Sequence, residues 1–188
     1  MNVHGFETDK DLSGYIPTYQ GLASTLRQDP AICELGVYRG GSLALWQELF
    51  PNAAVIVGVD IDPNATWPPG TVKIVADQQD PTLPSQLQAV LGSEALGHVA
   101  YDLIVDDASH LGHHTYKALQ HLWSLVAPGG YYVIEDWCVG FDIYPEYDDS
   151  MQTMAMMLIK MFDNPKTNVH FVSYEYGLIV IRKKDEQA

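Results

Sequence analysis

Short runs of apolar residues alternate along the chain with longer segments in which apolar residues recur at helical spacing. The short runs are nearly continuous in Val, Ile, Leu and Ala, which is typical of strands buried on both faces of a parallel sheet. A polar residue or a glycine follows most of them. The predicted strands span residues 31–35, 53–61, 72–76, 101–105 and 131–134.

The segments between these runs predict helices, because their apolar positions follow a period near 3.6 and Gly or Pro interrupts the pattern at their ends. Near the end of the chain, Glu175-Tyr-Gly177 separates two β-rich runs and predicts an antiparallel hairpin. The predicted helices span residues 15–26, 42–50, 83–91, 113–126 and 151–162, and the hairpin strands span 169–174 and 178–181.

This alternation predicts an α/β fold with a doubly wound, Rossmann-like sheet that carries helices on both faces. The sheet is expected to be mostly parallel, with the C-terminal hairpin as an antiparallel edge. The length of 188 residues predicts one domain. We expect a helical lead-in over 1–29, a core over 30–182 and a frayed tail over 183–188.

Acidic side chains end every predicted parallel strand. In sheets of this kind ligands bind beyond the carboxyl ends of the strands, so these side chains are expected to converge on one site. The strand-end acids are Glu34, Asp60, Asp77, the pair Asp106–Asp107 and the pair Glu135–Asp136.

The composition narrows the choice of partners. The chain carries 24 acidic and 10 basic residues, a formal charge of −14. Binding to nucleic acid requires a basic patch, so neither nucleic acid nor an anionic membrane surface is expected as a partner. The two cysteines, Cys33 and Cys138, predict no disulfide framework. We recognise no signal peptide and no apolar stretch of the roughly 18 residues that a membrane span needs, so a cytoplasmic location is expected.

A glycine-containing turn, Glu34-Leu-Gly-Val-Tyr-Arg-Gly-Gly41, joins the first predicted strand to the helix that follows it. Glycine allows a sharp turn and a close approach of backbone to a ligand. The dinucleotide fingerprint has a different spacing, and a leading glutamate repels a diphosphate. A carboxylate attracts the ammonium and sulfonium groups of S-adenosylmethionine, so the loop favours that cofactor over a dinucleotide.

Asp60 follows the next strand at the position where an acid binds ribose hydroxyls in nucleotide sites. Asp62 is a weaker alternative for that role. Asp77 and Gln78 end the third strand within reach of an adenine edge. The alternative for the segment from Asp60 to Pro63 is a turn with a helix-capping aspartate.

The segment Asp106-Asp-Ala-Ser-His110 places two adjacent carboxylates at a strand end, and Glu135-Asp136 repeats that arrangement one strand over. Clustered carboxylates stay ionised only near a cation or several donors. They predict a hard divalent cation, with Mg²⁺ as the default and Ca²⁺ or Mn²⁺ as alternatives. His110 is the candidate general base for deprotonating an acceptor hydroxyl.

Other interpretations of these residues stay open. One of Asp106 and Asp107 is a candidate helix cap, and His110, His113 and His114 have a spacing that suits zinc. Lys10 either neutralises the acids or is a solvated surface group. The following set is either an aromatic lid over an acceptor or a self-packed loop: Trp137, Phe141, Tyr144 and Tyr147. The methionines of the last helix indicate core or an oligomer face.

Three motifs together resemble the class I S-adenosylmethionine-dependent methyltransferases: Glu34-Leu-Gly-Val-Tyr-Arg-Gly-Gly-Ser42, Gly58-Val-Asp60 and Asp102-Leu-Ile-Val-Asp-Asp107. The resemblance covers about residues 30–137. It implies that Glu34 and Gly36 contact the methionine portion, Asp60 the ribose, and Asp77 with Gln78 the adenine. The other candidate cofactor contacts are Tyr38, Gly40, Ser42 and Asp106.

The Asp106–His110 segment, followed by Gly129-Gly-Tyr-Tyr-Val-Ile-Glu-Asp136, resembles the metal-dependent sugar O-methyltransferases of macrolide biosynthesis, the mycinamicin and macrocin type. Thr8-Asp-Lys10 and Tyr15-Ile-Pro-Thr-Tyr19 are similar to a segment ahead of their cofactor loop. The resemblance implies that Asp107, Glu135 and Asp136 bind the metal and that His110 is the base. The chain departs from the pattern at Ala108, where a glycine is usual, and at 188 residues it is expected to lack the extra domain that some of these enzymes carry.

The expected function is therefore metal-assisted O-methylation of a hydroxyl on a small molecule or sugar-bearing natural product. Two other classes are kept as alternatives: a methyltransferase-fold binding or scaffold subunit, and an NAD(P)-dependent oxidoreductase. Clustered acids disfavour the scaffold, and the glutamate at position 34 disfavours the oxidoreductase. The chain is also compatible with assembly into a homo-oligomer.

Overall fold

The computed structural model describes residues 2–94, 97–139, 150–162 and 167–186. A short hairpin of β1 (Asn2–Val3) and β2 (Phe6–Glu7) precedes the main sheet. The main-sheet strands are β3 (Ala31–Leu35), β4 (Val55–Asp60), β5 (Val72–Val75), β6 (Tyr101–Asp106), β7 (Val126–Glu135), β8 (Val169–Tyr174) and β9 (Leu178–Lys183). The α-helices are α1 (Ile16–Ala23), α2 (Gly41–Leu49), α3 (Leu83–Glu94), α4 (Gly112–Leu122) and α5 (Ser150–Phe162).

The strands of the main sheet lie in the order β5-β4-β3-β6-β7-β9-β8. Neighbouring strands from β5 to β7 are parallel, whereas β9 is antiparallel to both β7 and β8. The predicted fold class is confirmed, including the antiparallel hairpin at the edge. The winding reverses between β3 and β6, and a sheet of this kind binds ligands at that switch point.

Each face of the sheet has its own hydrophobic core, because successive side chains of a strand point to opposite faces. Cys33 and Leu35 of β3 belong to the core that α3, α4 and α5 complete. Ile32 belongs to the other core, which includes Tyr19 of α1 and Trp46 of α2. All five residues of β3 are buried. The predicted helices on both faces are thereby confirmed, and burial of each large apolar side chain contributes about 1.5–3 kcal/mol.

The prediction placed the Pro128-Gly129-Gly130 segment between a helix and a strand, whereas the segment lies inside β7. Val126 pairs with Tyr101 of β6, and the register then shifts before Leu103 meets Tyr131. Proline lacks the backbone donor that a regular ladder needs, so an irregularity in the pairing accommodates it. The helix predicted over 113–126 accordingly ends at Leu122 and continues as a 3-10 turn over Trp123–Leu125.

Two further predictions differ from the structure at the chain ends. The first helix ends at Ala23 rather than residue 26, because the Ser24 and Thr25 hydroxyls bond back to the carbonyls of Gly21 and Leu22. The tail predicted over 183–188 starts later. Lys183 belongs to β9, and its ammonium donates to the Trp123 and Val126 carbonyls.

The methionines of α5 divide between core and surface. Met151 and Met154 are buried, whereas Met156 and Met157 are exposed. Three members of the predicted aromatic lid, Phe141, Tyr144 and Tyr147, lie outside the described residues. Across the described ranges, no helix is long and apolar enough to cross a bilayer.

Candidate active site

A pocket of about 1190 Å³ opens at the carboxyl ends of the parallel strands, at the switch point between β3 and β6. The glycine loop after β3 and Asp60 at the end of β4 line one side. Asp107, His110 and Asp136 line the other side. The N-terminal residues from Glu7 to Asp9 also line it. The strand-end acids therefore gather at one end of the sheet, as the pattern predicts.

Glycines bring the backbone of the loop into close contact with its neighbours. Gly36 has φ = 89°, and a Cβ there would collide with the Asp107 carbonyl of the adjacent strand end. A Cβ at Gly41 would collide with the backbone at Glu7. Gly40, with φ = 77°, caps α2 in the left-handed conformation that glycine adopts without strain. The loop thus packs against β6 and the N-terminal segment at once.

Glu34 is fully buried beneath this loop. Its Oε2 accepts a hydrogen bond from Trp46 Nε1 at 3.0 Å. Its Oε1 lies 3.3 Å from Lys10 Nζ but has no hydrogen-bond partner among the described residues. Burial raises the pKa of Glu34 to about 7, although the charge of Lys10 opposes the rise. A direct contact between Glu34 and the cofactor stays a prediction.

Asp60 lines the pocket and also holds the loop in place. Its Oδ2 accepts hydrogen bonds from the Val37 and Tyr38 amides at 2.8 and 2.9 Å, and its Oδ1 accepts one from the Asp62 amide at 2.8 Å. The bonds of Asp60 support its predicted part in a turn, and its contact with a ribose stays a prediction. Oδ1 keeps capacity for a further donor such as a ribose hydroxyl.

Two other loop residues line the pocket, Tyr38 and Ser42. Tyr38 is largely exposed. Its backbone has φ = 50°, a conformation that residues other than glycine rarely adopt. Ser42 is buried in the first turn of α2.

Asp77, Gln78 and Asp106 were all predicted to face the cofactor, but Asp106 is buried, with 2% of its surface exposed. Its carboxylate accepts hydrogen bonds from Gln78 Nε2 at 3.2 Å and the Tyr132 hydroxyl at 3.1 Å. Burial raises the pKa of Asp106 to about 7. The Gln78 Oε1 accepts from the Ser109 amide. Asp106 thus fixes Gln78 at the pocket wall, where Gln78 and Asp77 both lie.

Asp107, His110 and Asp136 form a compact group in which one ligand atom from each lies within 4.8 Å of the others. His110 Nε2 lies 3.8 Å from Asp107 Oδ1 and 4.0 Å from Asp136 Oδ2. His110 and Asp136 both have positive φ, 50° and 53°. Non-glycine residues in this conformation are strained and concentrate at functional sites.

Glu135 does not join this group. It was predicted to be a metal ligand, but its carboxylate bonds to other side chains instead. Its Oε2 accepts a hydrogen bond from Lys10 Nζ at 2.7 Å, and its Oε1 accepts one from the Tyr19 hydroxyl. Both carboxylate oxygens are therefore engaged inside the protein. Burial raises the pKa of Glu135, and the charge of Lys10 opposes that rise.

Lys10 takes the first of its two predicted roles, because it is fully buried among acids. Its Nζ also lies 2.9 Å from Asp107 Oδ2. Burial lowers the pKa of Lys10, but the charges of Asp107, Glu135 and Glu34 outweigh this and raise the net value. The ammonium therefore stays charged at neutral pH.

Two tyrosines that follow Lys10 in the chain, Tyr15 and Tyr19, also bond to these acids, and the sequence motifs did not predict those contacts. The Tyr15 hydroxyl donates to Asp136 Oδ1 at 2.5 Å, and the Tyr19 hydroxyl donates to Glu135. Burial and the bond to Asp136 raise the pKa of Tyr15, so its hydroxyl stays protonated as a donor. Two features of the sequence could have indicated these contacts. Four clustered carboxylates require hydrogen-bond donors, and Tyr15 and Tyr19 lie in the segment that follows Lys10.

Two alternative interpretations gain no support from the geometry. Leu111 is the N-cap of α4, so neither Asp106 nor Asp107 occupies the capping position. The described residues contain one group suited to a metal ion, and it combines His110 with two acids rather than with His113 and His114.

The donor set at this group fits a hard divalent cation. Asp107 and Asp136 offer carboxylate oxygens that are partly exposed to the pocket. Three carboxylates contact the Lys10 ammonium and a fourth, that of Asp136, lies beside Asp107 and His110, so acidic groups outnumber the Lys10 cation in this part of the described structure. On the loop side, the close backbone approach and the pocket volume fit a nucleoside-sized ligand.

Residues 33–137 match a family model described as a methyltransferase domain. The match spans more than half of the chain, and the chain belongs to this family of methyltransferase domains. Membership favours the methyltransferase interpretation of the glycine loop over the oxidoreductase one.

Among curated relatives, the chain is 33% identical over 127 residues to the 8-demethyl-8-alpha-L-rhamnosyl tetracenomycin-C 2'-O-methyltransferase of Streptomyces olivaceus, a match that covers 66% of this chain and 32% of the relative. It is 32% identical over 117 residues to the demethylmacrocin O-methyltransferase of Streptomyces fradiae, covering 58% of this chain and 28% of the relative. The matched part thus spans about a third of each relative's length.

Among solved structures, the fold is similar to that of MycE methyltransferase from the mycinamycin biosynthetic pathway in complex with Mg, SAH and mycinamycin VI. The TM-score is 0.71 at 24% identity, and the match covers 92% of this chain and 50% of that chain. This likeness confirms the methyltransferase fold.

Proposed function

We propose that the chain transfers the methyl group of S-adenosylmethionine to a hydroxyl oxygen of a small-molecule acceptor, with a divalent cation beside the reacting oxygen. One observation carries the proposal: the glycine loop, Asp60 and the group Asp107–His110–Asp136 share a single pocket. Residues 1–188 act as one methyltransferase domain in this proposal, because Lys10 and the tyrosines near it bond to the strand-end acids.

The glycine loop, Asp60, Asp77 and Gln78 hold the cofactor. Asp60 accepts the ribose hydroxyls on the capacity that its backbone bonds leave free. Glu34 and Asp106 act from behind the pocket wall, Glu34 through Trp46 of α2 and Asp106 through Gln78. S-adenosylmethionine supplies the methyl group, whose bond to sulfur breaks as its bond to the acceptor oxygen forms.

His110 is the general base. His110 lines the pocket, and its Nε2 lies about 4 Å from one oxygen of each flanking aspartate. When the ring takes the acceptor's hydroxyl proton, the new positive charge forms beside these two carboxylates.

Asp107 and Asp136 are the metal ligands supported best, while Glu135 is engaged by Lys10 and Tyr19. A hard cation such as Mg²⁺ prefers these oxygens to the imidazole nitrogen, so we assign His110 as the base and the two aspartates as the ligands. The bound cation supplies positive charge that lowers the pKa of the acceptor hydroxyl.

A sugar hydroxyl is the acceptor that we favour. The support is the relatives, one of which is named for O-methylation of a rhamnosyl tetracenomycin-C. That rhamnosyl compound is therefore a suitable first acceptor for an assay.

The experiment measures cofactor binding and methyl transfer separately. We expect S-adenosylhomocysteine, but not NADH, to raise the melting temperature of the protein. His110→Ala should lower methyl transfer by about 10²–10⁴-fold, the usual contribution of a general base, while leaving S-adenosylhomocysteine affinity nearly unchanged. His113→Ala is the matched control, since His113 is the exposed neighbour of His114 on the same helix.

Full activity after EDTA treatment without added metal would contradict the cation's role. S-adenosylhomocysteine binding without turnover on any glycoside tested would favour a binding or scaffold subunit. A loss of cofactor binding in His110→Ala would reassign His110 as a structural residue.

A further inference from the structure

Three side chains from one N-terminal segment, residues 8–19, donate to the acids at the ends of β6 and β7. Lys10 bonds to Asp107 and Glu135, Tyr15 to Asp136, and Tyr19 to Glu135. Each contact joins residues about a hundred positions apart or more in the chain. The segment therefore reaches the pocket from outside the parallel strands that carry the acids.

In each of the two candidate metal ligands, Asp107 and Asp136, a donor from this segment bonds to one carboxylate oxygen and not to the other. Asp107 Oδ2 is held by Lys10 at 2.9 Å, while Oδ1 faces His110 at 3.8 Å. Asp136 Oδ1 is held by Tyr15 at 2.5 Å, while Oδ2 faces His110 at 4.0 Å. In both acids one oxygen is fixed to the N-terminal segment and the other is turned toward the same point.

We propose that Tyr15 and Lys10 are positioning residues, which fix the Asp136 and Asp107 carboxylates so that each presents a single oxygen to the divalent cation. The inference rests on the proposed function, because it concerns the same cation site. Glu135 fixes the position of the Lys10 ammonium, because it accepts a hydrogen bond from the same Nζ that bonds to Asp107.

The placement of Tyr15 suits this role. Its side chain is 4% exposed, and a Cβ at Gly177 in the β8–β9 turn would collide with its hydroxyl and ring. A tyrosine held in this way has little freedom to move, so its hydroxyl fixes the rotation of the Asp136 carboxylate. Groups that orient metal ligands typically contribute 10- to 100-fold to metal affinity.

The test compares Tyr15→Phe with Tyr131→Phe. Tyr131 is equally buried in the same core. Its replacement by Phe also removes one hydroxyl contact, with Thr25, which bonds to none of the described acids. Mn²⁺ serves as the probe, and its binding is followed directly by electron paramagnetic resonance in the absence of substrate. We expect Tyr15→Phe to weaken Mn²⁺ binding about 10-fold or more, with S-adenosylhomocysteine affinity unchanged. Tyr131→Phe should bind Mn²⁺ like the unaltered protein.

A second readout separates positioning from general loosening. Raising the Mg²⁺ concentration should restore methyl transfer by Tyr15→Phe, but not by Asp136→Asn, which lacks the ligand oxygen's charge. If the unaltered protein binds no Mn²⁺, the cation part of the proposed function fails and this inference fails with it. If the unaltered protein binds Mn²⁺ and Tyr15→Phe binds it equally well, or Tyr131→Phe is equally impaired, the proposed function stands and the positioning role is overturned.

Discussion

Lys10 Nζ lies within 3.3 Å of three carboxylates while its own side chain is fully buried. A buried charge loses its hydration and is stable only when its partners replace that hydration. Lys10 and the acids therefore depend on each other, and the Lys10 contacts explain how carboxylates at two strand ends share a small volume. The residue thereby links the N-terminal segment to the site.

Lys10→Met tests this dependence at the scale of a single residue. The substitution keeps most of the side-chain volume but leaves Glu34 and Glu135 buried without their cation, which typically costs about 3–5 kcal/mol in the free energy of unfolding. Urea denaturation in EDTA measures the loss. Lys117→Met on the exposed face of α4 is the control and should change stability by less than about 0.5 kcal/mol. Equal stability of the two variants would refute the proposed dependence.

At the scale of elements, the turn between β3 and α2 is shaped by contacts on both of its sides. Gly36 meets the Asp107 carbonyl, and the Asp107 amide in turn donates to the Leu35 carbonyl at 2.9 Å. Asp60 holds the Val37 and Tyr38 amides from the neighbouring strand. The loop is thus preorganised by β4 and β6, and its shape is a property of three strands.

Gly36→Ala should destabilise this turn, because alanine is strained at φ = 89° and its Cβ has no room beside Asp107. Strain of this kind costs on the order of 1–3 kcal/mol, and S-adenosylhomocysteine affinity should fall as well. Gly21→Ala is the matched control. Gly21 lies within α1 with open space around it, so alanine there should stabilise the protein by about 0.5–1 kcal/mol. Changes of the same sign in both variants would contradict this account.

For the whole molecule, we expect the raised pKa values of two buried acids to lower the free energy of unfolding as pH rises toward 7. Burial raises the pKa of Glu34 and Asp106 to about 7, so the folded protein holds these protons more tightly than the unfolded chain does. A group with a raised acid pKa loses stability as pH rises between its unfolded and folded values. Here that window runs from about pH 4, the ordinary carboxyl value, to about pH 7.

The free energy of unfolding should therefore fall less between pH 4.5 and 7.5 in Asp106→Asn than in the unaltered protein. The difference between the two falls should be about 1 kcal/mol or more. Urea unfolding at several pH values, in EDTA, gives the slope. Asp80→Asn serves as the control, because the Thr82 backbone and side-chain bonds lower the pKa of this exposed acid and it titrates below the window. A slope that is the same in Asp106→Asn and in the unaltered protein would show that Asp106 does not titrate there.

The sequence by itself determined the parallel strands, the antiparallel hairpin and the acids at the strand ends. Those features follow from local periodicity and from the rule that parallel strands present their carboxyl ends at one edge. The irregular start of β7 did not follow, because Pro128 is accommodated through pairing with β6, which no local pattern reveals.

Only the tertiary structure decided what each acid does. Glu135 and Asp136 are adjacent in the chain, yet Lys10 and Tyr19 engage one while Tyr15 orients the other toward His110. Asp106 and Asp107 divide similarly between a buried hydrogen-bond role and the pocket. In each pair the second acid lies just past the end of its strand, and the partners come from segments about 30 to 125 residues away in the chain, so their pairing is set by packing.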